Sequence, residues 1–313
     1  MLNRRDLCTA LASGMTMSAF AGAASAASRK GGFVFSYFHN ADDGGAGMRL
    51  AISDDGWRFR PVRGGAPMLV PQVGENRLMR DPSIALDPRT GLHHMVWTTS
   101  WKGVTIGHAS SRDLIHWSTQ QAIPVMAAFP DTRNAWAPEL TWDDAARRFL
   151  IVWASTVGEA GDEGDHRLYS TTTRDFRTFS PTKKFYDPGF SVIDATFLKR
   201  GGRTIMFVKD ERKEPLRKVI QWCDATLSPT PRFGPLSEPI TPAWSEGPTA
   251  ITVNGEMRVF FDRYTDKRWG AVASSDGRTW HDVSDRISIP AGANHGTMIP
   301  ADRSLIDALA AAG

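Results

Sequence analysis

The stretch EGPTAITVNGEMRVFFDRYTDKRWGAVASSDGRTW, Glu246 to Trp280, decides the fold. It holds three short apolar segments, EGPTAIT, MRVFFDRY and WGAVASSDG, closed by a Ser-Asp turn with an aromatic residue just behind it. Runs of this length, rich in β-branched and aromatic residues and bounded by Gly, Asn, Asp and Ser, read as strands of one antiparallel unit.

The unit recurs along the chain. FVFSYFHN pairs with MRLAISDDG, HHMVWTTS with VTIGHASSRD, FLIVWAST with RLYSTTTRD, and TIMFVKD with VIQWCDAT. The turn recurs too, as Asp55 with Trp57, Asp113 with Trp117, Asp175 with Phe179 and Asp276 with Trp280, and in degraded form as Asp224 with Phe233. These aspartates lie 58, 62, 49 and 52 residues apart, about the length of one four-stranded propeller blade. The pattern predicts an all-β, five-bladed β-propeller, with a single short helix from Ser304 to Ala311. Because the turn aspartates repeat in blade after blade, they read as structural, their carboxylates bonding turn amides. His93 and His94, on a second strand, read as scaffold.

In front of each strand pair sits one more short segment, the innermost strand of a blade. MRDPSIAL begins at Met79, AWAPELTW at Ala135, SVIDATFL at Ser191 and SEGPTAIT at Ser245. The first strand pair has none before it, but ANHGTMIP at Ala293 follows the last one. The N- and C-terminal segments are therefore expected to share one blade and close the ring. Aligned as DPSI, APEL, DATF, GPTA and HGTM, the innermost strands bring Asp81, Asp194, Glu246 and His295 to one end of a central channel, with Glu139 two positions into the second.

Acids gathered in a concave site raise one another's proton affinity and need a task or a cation. Two carboxylates across a sugar-sized gap, one protonated and one ionised, meet the requirement of glycoside hydrolysis, and a third can tune the acid. The motifs MRDPSI, WAPEL, VIDATF, EGP and NHG, in this order, resemble the signature of glycoside hydrolase family 43, five-bladed propellers acting on arabinose- and xylose-containing glycans. The resemblance implies inversion of configuration, with Asp81 as the general base that activates water, Glu246 as the general acid and Asp194 as the modulator of the acid. The usual Ile-Asp-Pro of the third motif is here Ile193-Asp194-Ala195, and some 50 residues precede the base motif. His295 resembles the axial histidine that in some relatives touches a calcium ion or a water; no cofactor is implied as required. A lone histidine is a poor calcium ligand, since that ion takes six to eight oxygens.

Glu139 reads equally as a functional or a structural acid. His39 and Asp42 are placed to reach the funnel mouth, and Trp101 and Trp136 to offer an aromatic face to a sugar. The expected activity is an exo-acting inverting glycosidase that removes terminal furanosyl residues from an oligo- or polysaccharide, with α-L-arabinofuranosidase the first choice. β-D-Galactofuranosidase and β-xylosidase are alternatives on the same acids. From another class stands a non-catalytic glycan-binding propeller. A sialidase is disfavoured, since five blades and four tyrosines do not match its six blades, arginine triad and tyrosine nucleophile.

The chain of 313 residues opens with MLNRRDLCTALASGMTMSAFAGAASAAS, an Arg4-Arg5 pair, a modest apolar run and small residues ending at Ala26. Residues 1–26 read as a twin-arginine export signal, and 27–313 as one catalytic propeller in the periplasm or outside the cell, with no membrane span after cleavage. Only Cys223 then remains of two cysteines, which excludes an internal disulfide. Net charge is +3 without a basic stripe, so nucleic acid is not an expected partner. The densest basic run, KDERKEPLRK from Lys209 to Lys218, interleaves acids and reads as a solvated loop or edge.

Overall fold

The computed structural model describes residues 31–160 and 164–312; the export-signal reading of residues 1–26 lies outside them. Twenty strands form five four-stranded antiparallel sheets among the described residues. The first blade is Arg80–Leu86, His93–Thr98, Ile106–Ser111 and Gln121–Ile123, from the axis outward. The second is Trp136–Asp143, Arg148–Ser155, Arg167–Thr173 and Lys183–Tyr186, and the third Val192–Arg200, Arg203–Asp210, Val219–Thr226 and Arg232–Phe233. The fourth is Glu246–Val253, Glu256–Arg263, Arg268–Ser274 and His281–Asp282. In the closing blade the C-terminal strand Ala293–Ala301 lies innermost and pairs with Gly32–His39, followed by Arg49–Ser53 and Arg60–Pro61. The ring is thus closed by hydrogen bonds between the two ends of the chain, as the order of the repeats requires.

Local sequence builds each blade. Val253 pairs with Glu256 across Asn254 and Gly255, both at positive φ (51° and 83°), the two-residue hairpin turn that Asn-Gly favours because its twist matches that of the strands. The outer turns are held by the repeated aspartates. Asp55 Oδ1 accepts the amides of Trp57 (2.7 Å) and Arg58 (2.9 Å), and Asp113 Oδ1 those of Ile115 (2.9 Å) and His116 (2.8 Å). Asp175 and Asp276 repeat the arrangement, whereas Asp224 instead meets the Arg203 guanidinium.

The second strands explain why the apolar runs are continuous rather than alternating. Successive side chains point to opposite faces of a strand, and in a propeller both faces are covered by neighbouring blades. Phe149, Ile151 and Trp153 pack toward the first blade, while Leu150, Val152 and Ala154 pack toward the third. Val96 and Trp97, Phe207 and Val208, and Phe260 and Phe261 divide in the same way. Truncating a fully buried ring such as Phe149 to Ala costs about 3–5 kcal/mol through lost transfer energy and a cavity. Helix Arg303–Ala311 seats Ile306 and Leu309 against the cluster between the closing and first blades. His94 and His108, bonded at 3.1 Å, stack on Phe176 in the gap between the first and second blades, which bears out the scaffold reading of His94. Among the described residues no helix is long and apolar enough to cross a membrane.

Candidate active site

The channel mouth is shaped by one backbone irregularity used five times. In every innermost strand three residues oppose two on the second strand: the pairing jumps from Arg80 to Ser83, Trp136 to Glu139, Ile193 to Thr196, Glu246 to Thr249 and Asn294 to Thr297. Such bulges re-aim side chains and strengthen twist. The residue just after the first of these positions takes a left-handed conformation in four blades: Asp81 (φ 52°), Ala137 (45°), Asp194 (54°) and Gly247 (56°). A non-glycine residue there costs on the order of 1–2 kcal/mol, with Asp among the more tolerant. The DP, AP, DA and GP dipeptides therefore mark one structural position.

The bulges deliver the predicted acids to a common centre. His295 Nδ1 lies 3.3 Å from Asp81 Oδ1 and 4.0 Å from Asp194 Oδ2. Asp81 Oδ2 accepts a hydrogen bond from Thr98 Oγ1 (2.7 Å), and Asp194 Oδ2 one from the backbone N–H of Gly247 (3.0 Å). Asp194 therefore grips the residue beside Glu246. Glycine at 247 is set apart by a close contact: a Cβ there would fall 2.5 Å from the His295 ring, whereas its positive φ is shared with Asp81, Ala137 and Asp194. Asp81 and Glu246 stand on the blades that flank the closing blade, and His295 stands on that blade between them.

Environment separates the proton affinities of these groups. Burial opposes ionisation of Asp81, but the hydrogen bond and charge of His295, with Arg80 behind, hold its carboxyl below the ordinary carboxylate range. Burial pushes Asp194 up to about 6, against the pull of His295 and Lys209 and helped by the charges of Glu246 and Asp81. Burial would neutralise His295, yet Asp194, Asp81 and Glu246 outweigh it and lift the imidazole to about 9, so that it is a cation at neutral pH.

The remaining expected residues have varied surroundings. Glu139 accepts the hydroxyls of Ser83 and Thr196 at 2.7 Å each, tying the first three blades together deeper in the channel, and burial raises its proton affinity. Asp42 pairs with Arg49 (2.9 Å) and accepts the amide of Gly44 (3.0 Å), shaping its own loop. The ring of His39 is kept neutral by burial and Arg49, and its Nε2 has no hydrogen-bond partner among the described residues. Trp101, 47% exposed, carries the Arg80 guanidinium 4.2 Å over its ring and meets Trp136 edge-on at 5.7 Å. Trp136 in turn stacks on His166, and these rings line a cleft of about 530 Å³. A second cleft of about 700 Å³ is lined by Asn40, Tyr264, Asn294 and Asp262, the cross-strand partner of Glu246.

Two residues of the site were not anticipated. Lys209 and Asp210 are each 1% exposed and Lys218 3%, so the solvated-loop reading of the basic run is corrected at these positions. Lys209 Nζ meets Glu246 Oε2 at 2.9 Å and Glu211 Oε2 at 2.8 Å. Asp262 is pushed up to about 7, chiefly by burial, and its Oδ2 accepts from Asn294 Nδ2 at 2.8 Å. A signal existed: at the register opposite the bulge the second strands carry Thr98, Ala154, Lys209 and Asp262, and the two charged residues stand out only when those strands are aligned as the innermost ones were.

The residues at the axis fit a calcium ion poorly. Among the described residues no group of three or more His, Cys, Asp or Glu side chains is arranged to hold a metal. His295 also turns its Nδ1 to Asp81 and offers nitrogen where calcium takes oxygen.

A five-bladed ring with a carboxylate cluster at one end of its axis defines the class of propeller-type glycoside hydrolase domains. Residues 29–307 match the family model described as a probable glycosyl hydrolase domain, related to glycoside hydrolase family 43, and the chain belongs to that family. A segment of 117 residues is 27% identical to an α-L-arabinofuranosidase of Bifidobacterium longum subsp. longum; it covers 33% of this chain and 11% of that protein, so the chain spans about a tenth of its relative. Among solved structures, an exo-β-1,3-galactanase from Phanerochaete chrysosporium bound to β-1,3-galactotriose is similar at a TM-score of 0.60 and 10% identity, over 87% of this chain and 64% of that one. An α-L-arabinofuranosidase from Lactobacillus brevis is similar at 0.52 and 16% identity, over 66% and 72%. At these identities the structural likeness concerns the fold.

Proposed function

We propose that the protein is an exo-acting glycoside hydrolase that removes a terminal furanosyl residue with inversion, with α-L-arabinofuranosides as first substrates. The observation that carries this reading is the pairing of Asp81 with His295, opposite Glu246 on the other flanking blade. Asp81, held ionised, accepts a proton from water as the water oxygen attacks the anomeric carbon. Glu246 gives its proton to the leaving oxygen as the glycosidic bond breaks. Asp194, bonded to the Gly247 amide, orients the segment that carries Glu246 and tunes its charge. The cleft beside Asp262 has room for a terminal sugar, and the Trp101–Trp136 wall suits the apolar face of a further unit. The arabinofuranosidases among the similar proteins support the choice of sugar, and β-D-galactofuranosides and β-xylosides are the next to try. Export through the Arg4-Arg5 signal would put the enzyme where such glycans are met.

The test is release of p-nitrophenol from a panel of p-nitrophenyl furanosides and pyranosides, with the anomer of the first product read by ¹H NMR. Turnover with inversion that Asp81→Asn abolishes is the expected result. A retained anomer overturns the base assignment, and binding without turnover of any natural or synthetic glycan favours the non-catalytic propeller.

A further inference from the structure

The most unusual charged group outside the expected acids is the ammonium of Lys209. It is the penultimate residue of the second strand of the third blade, and its side chain is 2% exposed. A buried ammonium persists only when paired, and Lys209 has two carboxylates, Glu246 at 2.9 Å and Glu211 at 2.8 Å, with the Tyr264 ring 4.9 Å from Nζ. Glu211 is itself engaged by Lys218, also buried. Positive and negative groups thus alternate from Lys218 through Glu211 and Lys209 to Glu246. Nothing in this row is required by the blade, since the other second strands carry Thr98, Ala154, Asp262 and Phe38 at the same register.

Resting on the reading of Glu246 as the proton donor, we propose that Lys209 is its positioning residue. Clamped by Glu211, it fixes one oxygen of the Glu246 carboxyl and sets the pH above which Glu246 no longer carries the proton it must donate. The groups facing Glu246 divide by sign. Lys209 and the His295 cation favour the carboxylate, whereas the carboxylates of Asp194 on the innermost strand of the third blade, Glu211 and Asp262 oppose it; the Tyr264 hydroxyl, pushed up to about 12 by burial, stays uncharged. Lys209 is the cation in direct contact with the acid.

The proposal predicts opposite effects from neighbouring changes. Lys209→Met raises the midpoint of Glu246 ionisation by about one pH unit or more, the usual scale for a contacting charge. Glu211→Gln lowers it, because the ammonium is then shared with fewer anions. Lys209→Arg, which keeps the charge, leaves it near the wild-type value and controls for disrupted packing. The midpoint is read directly from ¹³C-carboxyl NMR titration of the full chain, and independently as the alkaline limb of kcat/KM on a p-nitrophenyl glycoside. A midpoint that stays put in Lys209→Met, or moves in the same direction in both charge-removing variants, overturns the proposal. If the titration shifts as expected while Glu246→Gln leaves the alkaline limb in place, the coupling stands and the assignment of Glu246 as acid falls.

Discussion

The outer turns and the channel mouth use the same residue type in opposite ways. Asp55, Asp113, Asp175 and Asp276 are repeated from blade to blade, and each finds its amide donors within three residues along the chain. Against partial burial, the turn amides and Ser53 hold Asp55, and the His116 ring, the turn amides and Ser111 hold Asp113, below the ordinary carboxylate range. Asp81 and Asp194 share one bulge position that Ala137 and Gly247 fill in two other blades, Glu246 stands one residue before it in the fourth, and each of the three has a partner on another blade: His295, the Gly247 amide and Lys209. An acid satisfied by the amides of its own turn stabilises the unit; an acid whose partners come from a neighbouring blade is available for chemistry. Local satisfaction leaves the turn acids inert, whereas burial and partners on other blades drive Asp81 and Asp194 apart, the first lowered and the second raised.

The largest expected effect tests that division directly. Asp81→Asn lowers kcat/KM by about 10²–10⁴-fold, the usual worth of a general base, while Asp113→Asn, removing a carboxylate from a turn, leaves kcat/KM within about twofold. Equal losses in the two variants would break the comparison. Gly247→Ala comes next: strain at positive φ and a clash with His295 destabilise the fold by about 1–3 kcal/mol in chemical denaturation. Because the displaced ring is the partner of Asp81, kcat should fall with stability, unlike at a turn glycine.

Histidines sharpen the same contrast through pH. His295 is raised by its anions, whereas burial pushes His94 down to about 4 and His108 to about 3 in the gap between blades. In the unfolded chain both scaffold histidines bind protons near pH 6.5, so their contribution is complete above that pH and is lost as pH falls toward 4 and then 3. The double variant His94→Leu/His108→Leu should therefore lose less stability than the wild type between pH 6.5 and 4, as followed by denaturant midpoints. An identical acid dependence would show that the pair is not buried neutral. Smallest of all, Asp113→Ala removes the two amide bonds of an exposed turn, with the Ser111 and His116 side-chain contacts beside them, costs about 1 kcal/mol and lowers Tm by about 2–4 °C.

The sequence by itself determined the five-bladed ring, its closure by the two chain ends, and the register that aligns Asp81, Asp194, Gly247 and His295. Strand periodicity and turn chemistry act over a few residues, and the blade is repeated often enough for the innermost segments to be aligned against one another. Only the tertiary structure decided the bonds around those acids: that His295 answers Asp81, that Glu139 ties blades together, that Asp42 belongs to Arg49, and that Lys209 is buried against Glu246. In KDERKEPLRK the local pattern is that of a solvated segment, since its charges alternate in sign. Burial of Lys209 depends on a carboxylate 37 residues away on the next blade, and a through-space pairing of that kind leaves no periodic trace in the chain.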